Sequence, residues 1–314
     1  MGVRSIRKMA KANPTMEGAG VKLHRVFGFH DTKAYDPFLL LDDFRGDDPE
    51  DYEKGFPWHP HRGIETITYM LAGRVEHGDS LGNSGSVNPG GVQWMTAGNG
   101  IIHQEMPKGE ESGRMYGFQL WANLAASDKM CAPRYQEFGE AEMPEAVEED
   151  GCRARVICGS LWGESGPVER HDIDPLYADV TIPPGMKKRI PVGAGRTVFA
   201  YVFEGGGYFT ESSEPFSFPS EPERWIDTEP PVRAGNRTLV LFDGGGNGGD
   251  GESSDEGDEI FVRAGEEGVR FLLAAGRPIG EPVAWYGPIV MNTREELKQA
   301  FDELNAGTFL KHRE

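Results

Sequence analysis

Apolar and polar positions alternate along most of this chain in short bursts separated by turns. KLHRVFG, PFLLLDDF, ITITYM and VQWM are rich in β-branched and aromatic residues, and the turn sequences GNSG, NPGG and AGNG punctuate the region. This pattern predicts a β-meander. In MYGFQLWANL (115–124) the two-residue period puts Tyr116, Phe118 and Leu120 on one face and Gly117, Gln119 and Trp121 on the other, making Gln119 a candidate polar wall. From Ala154 to about residue 275 a second set follows: ARVICGSLW, YADVTIPPG, KRIPV, TVFAYVFEGGGYF, TLVLF, EIFVRA and VRFLLAAG. One helical pattern stands at the end. Thr293 and Glu296 form a capping box, Leu297, Ala300, Phe301 and Leu304 make one apolar stripe, and Gly307 is a suitable stop. The expectation is an all-β chain with a short C-terminal α-helix over 293–306.

Composition agrees with many turns and few helices, with 43 Gly and 22 Pro in 314 residues. No apolar run reaches the roughly 18 residues of a membrane span, and the basic N-terminus lacks the apolar core of a signal peptide. Cys131, Cys152 and Cys158 have no zinc-ligand spacing and read as free thiols, so the expected location is the cytoplasm. A net charge of −19 argues against direct nucleic-acid binding through a basic face. Much of the acid excess is local. Residues 137–150 (EFGEAEMPEAVEED) hold seven acidic side chains, and the part from about 139 to 150 reads as a linker between halves, with domains over 1–138 and 139–314. Residues 244–259 (GGGNGGDGESSDEGDE) hold six and read as a disordered, solvated loop. A salt-adapted host would also account for such a surface.

The chemistry concentrates between Trp58 and Pro107. His59 and His61 are two residues apart, and so are His103 and Glu105. On strands each pair projects from one face. Two such pairs on adjacent strands would bring three imidazoles and a carboxylate together, a set that suits iron, copper, manganese, nickel or zinc. Glu65 shares the parity of His59 and His61, although Gly63 between them can mark a bulge, and it reads as a supporting carboxylate. His24, His30 and His77 lack paired partners and read as structural. His171 is the one histidine near the second strand set, so a single metal per chain is expected. Gly63, Gly98 and Gly100 would keep the site open, with Phe56, Trp94, Met95 and Met106 available to hold a flat ring.

HPHRG-x-E-x-x-x-Y, GRVEH-x-DSLGNSG, PGGVQWMTAG and GIIHQEMP closely resemble the first half of the pirin family, a branch of the cupins. The resemblance continues in DPFLLLDDF, GFQLWANL and EPVAWYGPIVMNT and spans nearly the whole chain. It implies two cupin-type β-barrels packed face to face, the N-terminal one binding metal and the C-terminal one, whose VTIPPGMKKRIPVGAGRTVFAYVFEGGGYF looks like a duplicate without histidines, binding none. It implies His59, His61, His103 and Glu105 as ligands of one divalent metal, iron ahead of the others, with Glu105 also the candidate catalytic base. Bacterial members imply a dioxygenase cleaving a flavonol such as quercetin with O2. Eukaryotic members imply the alternative, a metal- or redox-responsive transcription cofactor acting through protein partners. A different small-molecule cupin reaction is the third reading.

Overall fold

A computed structural model describes residues 2–169, 173–211, 232–244 and 257–311. His171 and residues 245–256 of the expected acidic loop lie outside the described residues. The end of that stretch is ordered, contrary to expectation. Asp258 O accepts from Val192 N at 2.8 Å, and Glu259 opens a strand.

Two compact units make up the chain, neither of them contiguous. The first, which we call the site unit, comprises Ala12–Met143, Pro167–Ile173 and Pro278–Glu314. The second comprises Met1–Lys11, Pro144–Gly166 and Asp174–Arg277. The divide thus falls at Met143/Pro144, not at 138/139, and both chain ends are exchanged across it. Physical complementarity explains the exchange. IRKMAK (Ile6–Lys11) is a strand that pairs antiparallel with Thr238–Phe242 at one edge of the second unit's sheet, Met9 lying opposite Val240. Pairing fills backbone hydrogen-bond groups that an open edge leaves bare, and no local composition signals it.

In the site unit, seven antiparallel strands form one sheet, in the order Arg134–Phe138, Val92–Thr96, Ile64–Ala72, Tyr116–Asn123, Phe38–Asp43, Val21–Phe27 and Asn13–Glu17. Four more form a second sheet, in the order Phe56–His61, Ile101–Lys108, Arg74–Asp79 and Ser84–Val87. Alternation in Ile101–Lys108 is strict: Ile101, His103, Glu105 and Pro107 are buried, whereas Ile102, Gln104 and Met106 are half-exposed. Val21, Phe44, Met70, Val75 and Met115 make one apolar cluster; Leu39, Ile64, Met95, Ile101 and Val290 make another.

The helix Arg294–Asn305 forms as the capping pattern predicts. Glu296 N donates to Thr293 Oγ1 at 3.2 Å, and Thr293 N donates to the Glu296 carboxylate at 2.9 Å. Its stripe packs Ala300 with Ile289, Met291 and Phe309. Arg62, 2% exposed, anchors this end of the unit. Its guanidinium donates to Asn99 O and Phe309 O, both at 2.8 Å, and meets Glu303 at 2.8 Å.

In the second unit a nine-stranded sheet is centred on Thr197–Tyr208 and Glu259–Gly276. The latter was expected as two strands, EIFVRA and VRFLLAAG; it is one, turning through Gly268 at φ 78°. A large aliphatic and aromatic core, including Val180, Val202, Phe209, Val262, Phe271 and Leu273, fills this unit. No helix among the described residues is long and apolar enough to cross a membrane.

Candidate metal centre

Phe56–His61 and Ile101–Lys108 run antiparallel, with His103 directly opposite His59 and Ile101 opposite His61. His59, His61 and His103 therefore converge, as their spacing predicts. Their ring centroids lie 4.4–4.9 Å apart, and their ligand atoms all fall within 4.8 Å of one another. His61 and His103 are each 2% exposed; His59 is half-buried.

Hydrogen bonding selects the tautomers. His59 Nδ1 contacts Pro57 O at 2.8 Å, and His61 Nδ1 contacts Pro288 O at 3.0 Å. A carbonyl only accepts, so both Nδ1 atoms carry a proton, which leaves Nε2 as the atom through which either ring can offer a lone pair. Those two Nε2 atoms face each other at 3.0 Å. A neutral pair held this way has no proton to place between them. Burial first, then the neighbouring imidazoles His59 and His103, holds His61 well below the ordinary histidine range. Burial, followed by His59 and His77, does the same to His103. His103 Nε2 is buried with no hydrogen-bond partner. Three imidazole nitrogens, two of them facing each other and one without a hydrogen-bond partner among the described residues, are a donor set that a divalent cation satisfies. The residues fit a metal, and the carbonyl acceptors behind His59 and His61 are the kind of outer support that orients metal-bound histidine.

Glu105 shares the buried face of His103 but stands outside the group of three. The register with Phe56–His61 shifts between His103 and Glu105, placing Glu105 opposite Phe56. Its carboxylate accepts from Thr68 Oγ1 at 3.0 Å and takes Gln119 Nε2 on both oxygens, at 3.1 and 3.0 Å. Gln119 is thus a wall residue as its strand parity predicts, whereas Thr68 carried no signal beyond its place in ITITYM. An apolar pocket lined by Phe56, Val75 and Met115 adjoins Glu105 and Gln119.

Gly63, at φ 77°, ends the strand that carries His59 and His61. A Cβ there would sit 1.9 Å from Val290 O. Beyond it Glu65 belongs to the other sheet, buried, accepting from Thr96 Oγ1 at 2.7 Å. The expectation that Gly63, Gly98 and Gly100 keep the site open is not met. They are packing glycines, closed by Val290, the Cys131 carbonyl and Phe309 respectively. Trp94 and Met95 are core residues, about 1% exposed. The aromatic residue beside the metal centre is Trp121, edge-on to His61 at 5.1 Å, with Trp285 5.9 Å beyond it. The Trp121 Nε1–H is buried without a partner.

The remaining described histidines stay outside the centre. His77 Nε2 meets Glu137 at 2.9 Å and also Tyr135; His30 is exposed, and His24 is half-buried on the Val21–Phe27 strand. Cys131, Cys152 and Cys158 form no disulfide among the described residues.

Comparison with known proteins agrees with this geometry. Residues 20–122 match the Pirin family profile, and residues 251–310 match the Pirin C-terminal cupin domain. A pirin-like protein of Caulobacter vibrioides is 44% identical over 98% of this chain and 100% of its own. A Pseudomonas aeruginosa protein named provisionally as a quercetin 2,3-dioxygenase is 41% identical over 97% of each. The crystal structure of a quercetin 2,3-dioxygenase from Acinetobacter baumannii superposes with a TM-score of 0.81, at 29% identity, covering 98% of this chain and 99% of that one. With a three-histidine site on paired strands, a cupin fold in both halves and relatives aligned from end to end, the chain belongs to the pirin family.

Proposed function

We propose that the chain is a metal-dependent dioxygenase acting on a flavonol such as quercetin, with His59, His61 and His103 as nitrogen ligands of one divalent metal and Glu105 as fourth ligand or proton acceptor. The observation that carries the reading is the convergence of lone pairs. Two Nε2 atoms face each other at 3.0 Å while their Nδ1 protons are committed to carbonyls, and His103 Nε2 is buried beside them without a partner. Iron is the first candidate, with copper, manganese, nickel and zinc admitted by the same donor set. When bound, the ion supplies a Lewis acid that lowers the pKa of a chelating 3-hydroxy-4-keto group and a redox partner for dioxygen.

The chain's own residues do the rest. Glu105 lies two residues from His103 and is placed to take the enol proton; Gln119 and Thr68 orient its carboxylate through three hydrogen bonds. Loss of that proton leaves the flavonol electron-rich enough to react with dioxygen. Trp121 offers a flat apolar wall and one unspent N–H donor to a bound oxygen. The names of the Pseudomonas and Acinetobacter relatives support the substrate class.

The test combines elemental analysis of protein purified without added metal with oxygen-dependent consumption of quercetin. One metal per chain, and turnover lost in Glu105→Gln with metal retained, are expected. A spectral shift on binding quercetin with no consumption under oxygen would make the chain a binder or metal-responsive interaction protein instead.

A further inference from the structure

In the second unit an open groove collects three cations, two of which have no ion pair among the described residues. Lys187 and Arg263 are direct cross-strand partners on Lys187–Pro191 and Glu259–Gly276. Like charges directly opposite each other destabilise a sheet, and this chain has 51 acidic residues against 32 basic ones from which to supply a counter-ion. Two residues along the same face the rule is obeyed: Arg189 meets Glu211 at 2.7 Å and Glu259 at 3.8 Å. Lys187 has no ion pair or hydrogen bond among the described residues. Arg263 has a single ring contact, its guanidinium lying 4.4 Å over Tyr208, the residue opposite it on the other neighbouring strand.

A third cation completes the groove. Arg233 lies against glycine backbone, where a Cβ on Gly206 would come within 2.7 Å of its guanidinium carbon and one on Gly265 within 3.3 Å of its Nε. Among the described residues its one ion-pair partner is Glu267, at 4.0 Å and 80% exposed. Lys187, Tyr208, Arg233 and Arg263 all line the groove, together with the exposed Glu266 and Glu267.

We propose that this groove is a binding site for a small phosphate-type oxyanion carrying two or more negative charges, held by Lys187, Arg263 and Arg233. A planar guanidinium stacked on a tyrosine is pre-oriented for bidentate contact with such an anion, and the lysine adds a point charge beside it. Compactness follows from the two carboxylates in the lining: Glu266 and Glu267 repel an extended acidic chain laid across the groove, whereas a small anion can seat among the three cations. The site is separate from the histidine centre and asks nothing of it.

The experiment is calorimetric titration of the metal-loaded chain with inorganic pyrophosphate, and with inorganic phosphate, at low ionic strength. One saturable site is expected for pyrophosphate, weakened at least about tenfold by Lys187→Gln or Arg263→Gln, since charged hydrogen bonds are the strong ones. Arg189→Gln, on the same face but with its charge already paired, should bind as the parent does. Lys187→Glu should abolish binding and raise the melting temperature by pairing with Arg263. The proposal fails if pyrophosphate shows no saturable site, if Lys187→Glu binds unchanged, or if His59→Ala removes the heat while Lys187→Gln does not, which would mean the anion is binding to the metal.

Discussion

His61 Nδ1 donates to the carbonyl oxygen of Pro288, 227 residues further along the chain, at 3.0 Å. That bond selects the tautomer whose Nε2 faces the metal position. The hairpin Ala284–Tyr286 and Ile289–Met291 brings the carbonyl there, and Arg62, one residue after His61, fastens the following helix and Phe309 to the same unit. If His61 is a ligand as proposed, metal affinity should therefore depend on the docking of the C-terminal segment. Arg62→Met should cost about 3 kcal/mol of stability and weaken metal binding by at least about tenfold, measured by chelator competition on the folded fraction. Unchanged affinity would show that His61 is oriented without Pro288.

Removing ligands should empty the site. Each of His59→Ala, His61→Ala and His103→Ala is expected to lower metal affinity by at least about tenfold, and the His59→Ala, His103→Ala double variant to retain almost none. Elemental analysis decides. Near-equal metal in parent and double variant would move the site elsewhere, and a stoichiometry near two would place a second metal in the chain.

Gln119 and Thr68 position Glu105 without themselves reaching the three histidines. Gln119→Leu removes the donor that bridges both carboxylate oxygens. It should lower kcat for quercetin by about 10- to 100-fold, the range of a disturbed general base, with KM and metal content little changed. A loss of metal equal to the loss of rate would instead make Gln119 part of the binding framework.

Lys129 provides a pH test. It is 2% exposed, and its Nζ donates to Gly63 O and Asn123 Oδ1, both at 2.8 Å, and to Val290 O at 3.1 Å. Burial pulls its pKa down to about 7, against weaker opposing pulls from Glu281 and Glu296. In the unfolded chain the value is about 10.4. Between these limits the unfolded state binds more protons, so stability rises with pH from about 7 to about 10; below 7 both states are protonated and the cost of the buried charge is fully present. Relative to Lys129→Met, the parent should gain about 3 kcal/mol across that window, read from urea midpoints. A flat difference would mean that the three acceptors, which only an ammonium can fill at once, keep the proton in place.

What the sequence made legible was local. The i, i+2 spacing of His59 with His61 placed two ligands on one face, and the Thr293–Glu296 box with its apolar stripe defined the helix. Gln119 followed from strand parity. What was hidden was carried by backbone or by distance. The Pro288 carbonyl has no side-chain signature, and the pairing of Ile6–Lys11 with Thr238–Phe242 joins segments more than two hundred residues apart. Gly63, Gly98 and Gly100 misled because a glycine allows either an opening or a close approach. Only the neighbours, Val290, Cys131 and Phe309, decide which.

The exchange of chain ends between the two units has a bearing on synthesis. A ribosome makes His59, His61 and His103 before Pro288, so the carbonyl that orients His61 does not yet exist when the three histidines emerge. The segment from Pro278 onward completes the site unit only after the whole second unit has been made. A product stopped between His103 and Pro278 would carry all three histidines and, if they hold metal as proposed, should hold it poorly. If the three histidines hold metal as proposed, high-affinity capture would wait until the segment from Pro278 onward has been made.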